Sequence, residues 1–155
     1  RRCPQSAVAA ANNSAKKTKE TEETKEDKTK AVPLVDWLST LLEDEVEEVR
    51  ISNRLTESPS VLVDKEGGMS SNLQNIMNSI NPNSMMPDMK RVLEINPSHP
   101  LVKTLAGLNE KGTPGLEPFA RLLLDHAMIV EGQLKDPTGF AKRLQGLMEK
   151  AAIGL

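Results

Sequence analysis

Apolar residues first fall into a pattern at Leu34, Trp37, Leu38, Leu41 and Leu42, the spacing of one helix face. Pro33 suits the start of that helix, where a missing N–H is harmless. The acidic run Glu43–Glu48 is expected to fray the helix end and turn the chain outward. From Val49 the period drops to two: Val49, Ile51 and Leu55 share one side, Arg50, Ser52 and Arg54 the other, and Asn53 breaks the apolar row. Thr56–Pro59 reads as a turn and Ser60–Val63 as a second short strand, which predicts an antiparallel hairpin ended by Gly67 and Gly68. Leu73, Ile76, Met77 and Ile80 then form a helical stripe, with Asn72, Gln74, Asn75, Asn78 and Ser79 opposite. Pro82 stops this helix, and Asn81–Pro87 reads as a loop. Val92–Ile95 is a third strand and Asn96–Pro97 a turn. Ser98 or His99 can cap a helix that starts at Pro100, and Leu101, Val102, Leu105 and Leu108 give that helix an apolar face. Gly112–Gly115 is a flexible joint.

The last two segments, Glu117–Glu131 and Asp136–Ala152, are the richest in signal. In the first, Phe119, Leu122, Leu123, Ala127 and Val130 fall on one face, and Ala120, Leu124 and Met128 on an adjoining one. Only Arg121 and Asp125 make a clearly polar strip. A helix apolar most of the way round is buried on two sides. The second segment repeats Phe140, Leu144, Leu147, Met148 and Ala151 on one stripe. Asp136 can cap it, Pro137 suits its first position, and Gly132 ends the helix before it. The short link predicts antiparallel neighbours, and two such hairpins about a two-fold axis give a four-helix bundle. The dimer interface is then expected at Phe119, Leu123, Leu124, Ala127, Met128, Phe140, Leu144, Leu147 and Met148. The alternative is that both faces are covered within one chain. The element order predicts an α+β fold: a small three-stranded sheet with packed helices, ending in a two-helix hairpin.

Composition narrows the function. The 155 residues suffice for one domain and a tail. Residues 1–31 carry almost nothing apolar after Ala11, and Lys16–Lys30 mixes Lys, Glu and Thr, so 1–31 is expected to be a disordered charged linker and 32–155 the folded domain. Formal net charge is −2, which gives no electrostatic case for nucleic acid. No apolar run approaches the roughly 20 residues that cross a membrane. Cys3 is the sole cysteine, so no disulfide framework exists within the chain. The chain does not begin with Met, and Arg1–Arg2 followed by Ala and Ser faintly suggests the end of a transit peptide, against the simpler reading of linker.

Candidate chemistry is thin. His99 and His126 stand far apart without partners at a recognisable spacing; His99 reads as a cap and His126 as an interface or core histidine. A Cys–His nucleophile would require Cys3, which lies in the polar tail. Glu43–Glu48 has no calcium-loop spacing. No catalytic residue, metal site or cofactor is expected. The stretch from Gly67 to Pro87 holds no charged residue, and five of the seven Met (Met69, Met77, Met85, Met86 and Met89) lie in it or just after. Met adapts to partners of varied shape, which suits weak binding of exposed hydrophobic segments. A core helix filled with Met is the other reading.

Ile51–Val63, reading ISNRLTESPSVLV, and Leu93–Leu105, reading LEINPSHPLVKTL, closely resemble the C-terminal domain of the ninety-kilodalton heat-shock chaperone family. The stretch LLLDHAMIVEGQLKDP in the final hairpin fits the same template, and the resemblance runs from about Val32 to Ile153. It implies a homodimer through the last two helices. It also implies a mobile amphipathic segment, Met69–Ile80, that contacts unfolded or partly folded client proteins through Met69, Leu73, Ile76, Met77 and Ile80. Full-length members are ATP-driven clamps that use ATP and magnesium in domains preceding this one. This chain shows no P-loop spacing. It ends at Gly154–Leu155 without the EEVD peptide of the eukaryotic cytosolic branch, which favours the bacterial cytoplasm or an organellar matrix or stroma. That ending also lacks the dock for tetratricopeptide cochaperones; other cochaperones stay a candidate partner class. The competing reading is a stand-alone dimeric adaptor that binds amphipathic peptides through the Met-rich groove.

Overall fold

In a computed structural model the described residues are 6–54, 57–83, 87 and 89–155, with side chains described from Thr24 onward. The elements run α1 (Ser6–Leu41), β1 (Val46–Ile51), β2 (Ser60–Val63), α2 (Ser71–Ile80), β3 (Arg91–Ile95), α3 (Pro100–Glu110), α4 (Glu117–Val130) and α5 (Pro137–Ile153). This is the α+β arrangement that the periodicities predict: a three-stranded sheet with helices packed on it.

The pairing within the sheet is a correction. The pattern predicts a β1–β2 hairpin, but the strand order is β1–β3–β2, so β1 and β2 lie on opposite sides of β3. β3 runs parallel to β1, with Val49 opposite Leu93, and antiparallel to β2, with Leu62 opposite Leu93. The reason is the burial of β3: Val92, Leu93, Glu94 and Ile95 are all inside, and a strand buried on both faces belongs in the middle. β1 also begins earlier than the period of two indicates. A register irregularity between Val46 and Glu48 lets both Val46 and Val49 face inward, a spacing of three. Leu55 and Thr56 lie outside the described residues, as do Ser84, Met85 and Met86 of the expected loop and the cysteine at position 3.

The acidic run does not fray. Leu42–Glu45 closes a tight turn in which the amides of Glu45 and Val46 donate to the Leu42 carbonyl at 2.9 and 3.0 Å. Glu47 then binds Lys65 at 2.6 Å, and Glu45 pairs with Arg121.

α1 is a second correction. The pattern starts this helix at Pro33 and leaves 1–31 as disordered linker; the helix instead begins at Ser6 and encloses Pro33. Its buried stripe runs back from Leu42 through Leu38 and Leu34 to Ala31. Asp27 pairs with Lys103 at 3.0 Å and Lys28 donates to Asn53 at 2.6 Å, so the helix is tied to the domain well before the proline. An interior proline costs about 3 kcal/mol, and what the helix gains upstream of it is the burial of Ala31 and the ties of Asp27 and Lys28.

The segment after β3 explains why its sequence is so particular. Asn96 is buried; its amide donates to the Pro59 carbonyl at 2.9 Å, its Nδ2 to the Ser58 carbonyl at 3.1 Å, and its Oδ1 accepts from the Ser98 amide at 3.1 Å. One side chain thus fixes the entry to β2 and the exit from β3. His99 caps α3, its Nδ1 accepting from the Leu101 amide at 3.1 Å, as expected. Ser60, buried on β2, donates to the Leu123 carbonyl at 2.8 Å and fastens α4 to the sheet.

Glu94 is a buried charged residue of β3. Burial alone would raise its carboxyl. Hydrogen bonds from Arg50 Nη2 at 2.7 Å and Arg54 Nε at 3.2 Å outweigh that and hold it below the usual glutamate range. Ionised Glu94 therefore stabilises the fold above its unfolded-state pKa, and this contribution is lost as pH falls through the lower folded value. Glu94→Gln is expected to cost about 1–3 kcal/mol at neutral pH and to flatten the acid limb of stability, as read by urea titration from neutral pH down through the carboxylate range.

Candidate functional site

α2 is amphipathic in the reverse sense. Its apolar stripe points to solvent: Ile76 is 55% exposed and Ile80 78%, and Leu73 and Met77 are exposed as well. The only buried residue of the helix is polar, Gln74, whose Nε2 donates to the Pro87 carbonyl at 2.8 Å. Ser70 at the N-cap makes no side-chain cap bond; the Ser71 amide instead finds Asp64 Oδ2 at 3.4 Å. The sequence pattern places Gln74 on the face opposite the apolar stripe, and the structure turns that face inward. Met69, just before the helix, is half-buried. The reading of this helix as a Met-filled core element is therefore set aside.

The hairpin is built differently from its sequence expectation. Ala120, Leu123, Leu124, Ala127 and Met128 are all buried within the chain, and they follow i, i+3, i+4, i+7, i+8. What the pattern divides between two faces is one broad stripe, packed on β2 and α1. Leu123, Leu124, Ala127 and Met128 are thus covered by their own protomer, which corrects the expectation that the face with Leu124 awaits a twin.

The uncovered side of α4 is a second stripe: Phe119 and Leu122 half-buried, His126, Ile129 and Val130 exposed. Sequence reasoning missed Ile129 and underused Leu122 and Val130. The signal was present in their i, i+3, i+7, i+10, i+11 spacing. His126 is accordingly a surface residue of this protomer, not a core one.

α5 has 17 residues and no buried one. Phe140 and Leu147 are half-buried, Leu144 is exposed, and Met148 is 63% exposed. Asp136 caps the helix, its Oδ1 accepting from the Gly139 amide at 2.8 Å, and Gly132 in the turn takes φ +68°, both as expected. The joint to α4 is an ion pair: Arg143 Nη2 and Nε reach Asp125 Oδ2 at 2.6 and 2.9 Å. Burial pushes the Asp125 carboxyl up, and the hydrogen bonds and charge of Arg143 offset this only in part. The polar strip of α4 is therefore where α5 docks. Leu122 and Ile129 stand at i−3 and i+4 from Asp125, and Phe140 and Leu147 at i−3 and i+4 from Arg143, so the uncovered stripes of both helices flank the same ion pair.

Among the described residues no group of three or more His, Cys, Asp and Glu could hold a metal ion, and no described helix is long and apolar enough to cross a membrane. The arrangement offers two outward apolar surfaces, on α2 and on the hairpin.

The profile of the Hsp90 protein family matches residues 6–154. The chaperone protein HtpG of Pseudoalteromonas translucida is 44% identical over 116 residues, covering 74% of this chain and 18% of that protein. HtpG of Paramagnetospirillum magneticum is 40% identical over 158 residues, covering 96% of this chain and 25% of that protein. HtpG of Methylococcus capsulatus is 40% identical over 124 residues, covering 79% of this chain and 19% of that protein. The chain thus spans about a fifth to a quarter of the length of these relatives.

A pair of substitutions separates covered from uncovered apolar positions. Leu124 is 1% exposed, and Leu124→Asp is expected to unfold the chain, since an unpaired buried charge is among the most destabilising single changes. Met148→Asp, at a side chain 63% exposed in the protomer, is expected to leave the chain folded, with the parent's far-ultraviolet ellipticity at room temperature. Circular dichroism of the two variants checks both outcomes.

Proposed function

The chain belongs to the Hsp90 protein family, and on that footing we propose that it is the C-terminal homodimerisation and client-contact module of an ATP-dependent molecular chaperone. The observation that carries this reading is that α2 and α5, two helices with clear apolar stripes, both present those stripes outward. A lone protomer gains little from either, whereas a partner chain gains from both.

For α5 the fitting partner is a second copy. Leu144 and Met148, with Ile129 and Val130 of α4 and the half-buried Phe140 and Leu147, make a continuous candidate face. Each large apolar side chain newly buried contributes roughly 1.5–3 kcal/mol, enough for a few per protomer to hold a dimer against the cost of association. The resulting four-helix bundle would keep two arms at high effective concentration, so that ATP-driven domains elsewhere in the parent protein can close on one another. ATP and magnesium belong to those domains in this reading, and this chain holds no cofactor of its own. The expected compartment is the bacterial cytoplasm or an organellar matrix or stroma.

For α2 the fitting partner is a protein with exposed apolar segments. The stripe of Leu73, Ile76, Met77 and Ile80, with Met69 before it, is soft and uncharged, and it can repack against surfaces of many shapes. Unfolded or partly folded clients have such surfaces. The reading implies no reaction catalysed by this chain.

Two experiments test the two halves. Sedimentation of the chain at several concentrations is expected to show dimers at micromolar concentration, and Leu144→Asp with Met148→Asp to give folded monomers; a parent chain that stays monomeric throughout removes the dimer. Ile76→Asp with Met77→Asp is expected to leave the dimer intact and to weaken suppression of client aggregation severalfold. Unchanged suppression by that variant removes the client surface.

A further inference from the structure

A small cleft of about 60 Å³ separates α2 from the α4–α5 turn, lined by Ser71, Gln74 and Asn75 on one side, Gln133 and Lys135 on the other, with Arg91 between. The two elements therefore meet across side chains and not through helix packing. Arg91, the first residue of β3, has a side chain only 13% exposed. Its Nε stands 3.0 Å from Asp64 Oδ1, just after β2, and its Nη2 3.6 Å from Glu131 Oε2, just after α4. Nη2 also donates to the Leu62 carbonyl at 3.3 Å, and Nη1 to Gln133 Oε1 at 3.5 Å in the same turn.

Asp64 then carries the contact onward. Its other oxygen, Oδ2, accepts the amide of Ser71, the first residue of α2. The leading amides of a helix have no partners within it, and Ser70 supplies no side-chain cap. A carboxylate there is favoured both as acceptor and by the helix dipole. One guanidinium thus lies within ion-pair distance of two carboxylates from segments distant in sequence, with its hydrogen bonds going to Leu62 and Gln133: one carboxylate leads to the start of α2, the other to the turn that joins α4 to α5.

We propose that Arg91 is a positioning residue that ties the placement of α2 to the α4–α5 turn, so that the client surface is held in a set orientation to the dimerising hairpin. In its functional meaning this rests on the reading of α2 and the hairpin given above; the physical tie does not. Without Arg91 the charge of Asp64 has no fixed cation, the Ser71 amide loses a held acceptor, and Gln74 is left as the principal anchor of α2. Without the charge of Glu131 the guanidinium loses one of its two anionic anchors, and the effect reaches α2 through Asp64.

The test is amide hydrogen exchange of the full chain, without any client. Arg91→Met is expected to speed exchange roughly tenfold in α2 and in residues 131–135, the change that loss of a charge-assisted contact produces, with β1 and α3 unmoved. Glu131→Gln, at a side chain 35% exposed, is expected to speed exchange in α2 roughly threefold across the cleft, and this effect is expected to vanish in the Arg91→Met background. A uniform rise across all elements in Arg91→Met marks a merely structural arginine and overturns the proposal. So does Glu131→Gln that moves only the 131–135 turn. If Arg91→Met does not fold, Asp64→Asn replaces it: non-additivity of Asp64→Asn and Glu131→Gln in α2 supports the tie, and additivity overturns it. A failure of Ile76→Asp with Met77→Asp to weaken holding would leave the exchange result standing, so the two readings fail separately.

Discussion

β3 has neither a free edge nor a free face, and the rest of the domain is arranged to satisfy it. Its two edges are taken by β1 and β2. Leu93 and Ile95 point into the core shared with α1, α3 and α4, while Glu94, alternating to the other side, is clasped by Arg50 and Arg54. Its two ends are also in use. Arg91 at the start reaches toward α2 and the hairpin, and Asn96 just past the end fixes the approach to β2. A strand of five residues thereby gathers contacts from both halves of the chain.

Local signals were legible because their causes are local. The caps at His99 and Asp136 and the left-handed Gly132 depend on neighbours a few residues away, and each stands where the pattern puts it. The α+β class followed from the change of period along the chain. Strand order did not follow, because nothing in Val49–Ile51 or Ser60–Val63 says which of them pairs with a segment some thirty residues later. The α4 stripe was visible but wrongly divided: Leu123 and Leu124 are adjacent in sequence, and only packing shows that one sheet receives both. α1 was missed upstream of Pro33 because its ties, Asp27 to Lys103 and Lys28 to Asn53, are to distant residues. The same holds for Arg91, whose partners carry no motif.

The candidate surfaces were legible in a different measure. All the apolar positions of α2 were readable as a stripe suited to partners, but its periodicity alone left a core-facing helix as the other reading, since an amphipathic helix ordinarily faces its own core. Gln74 decides the matter by taking the inward position. On the hairpin, the apolar set of α5 is exposed or half-buried in the chain, whereas Leu123, Leu124, Ala127 and Met128 of α4 are covered by it. The ion pair of Asp125 and Arg143 occupies the strip that composition assigns to solvent, and so leaves the apolar side of α5 free.

The lack of charge from Gly67 to Pro87 has a consequence for how anything meets α2. A surface without charge adds nothing of its own to the steering of an encounter, which by itself sets rates typical of unguided docking, on the order of 10⁵–10⁶ M⁻¹s⁻¹. Contact through it is correspondingly indifferent to ionic strength. On the proposed reading of α2 as a client surface, discrimination would then fall to time: a chain that shows its apolar segments for long enough would be met, and one that hides them quickly passed over.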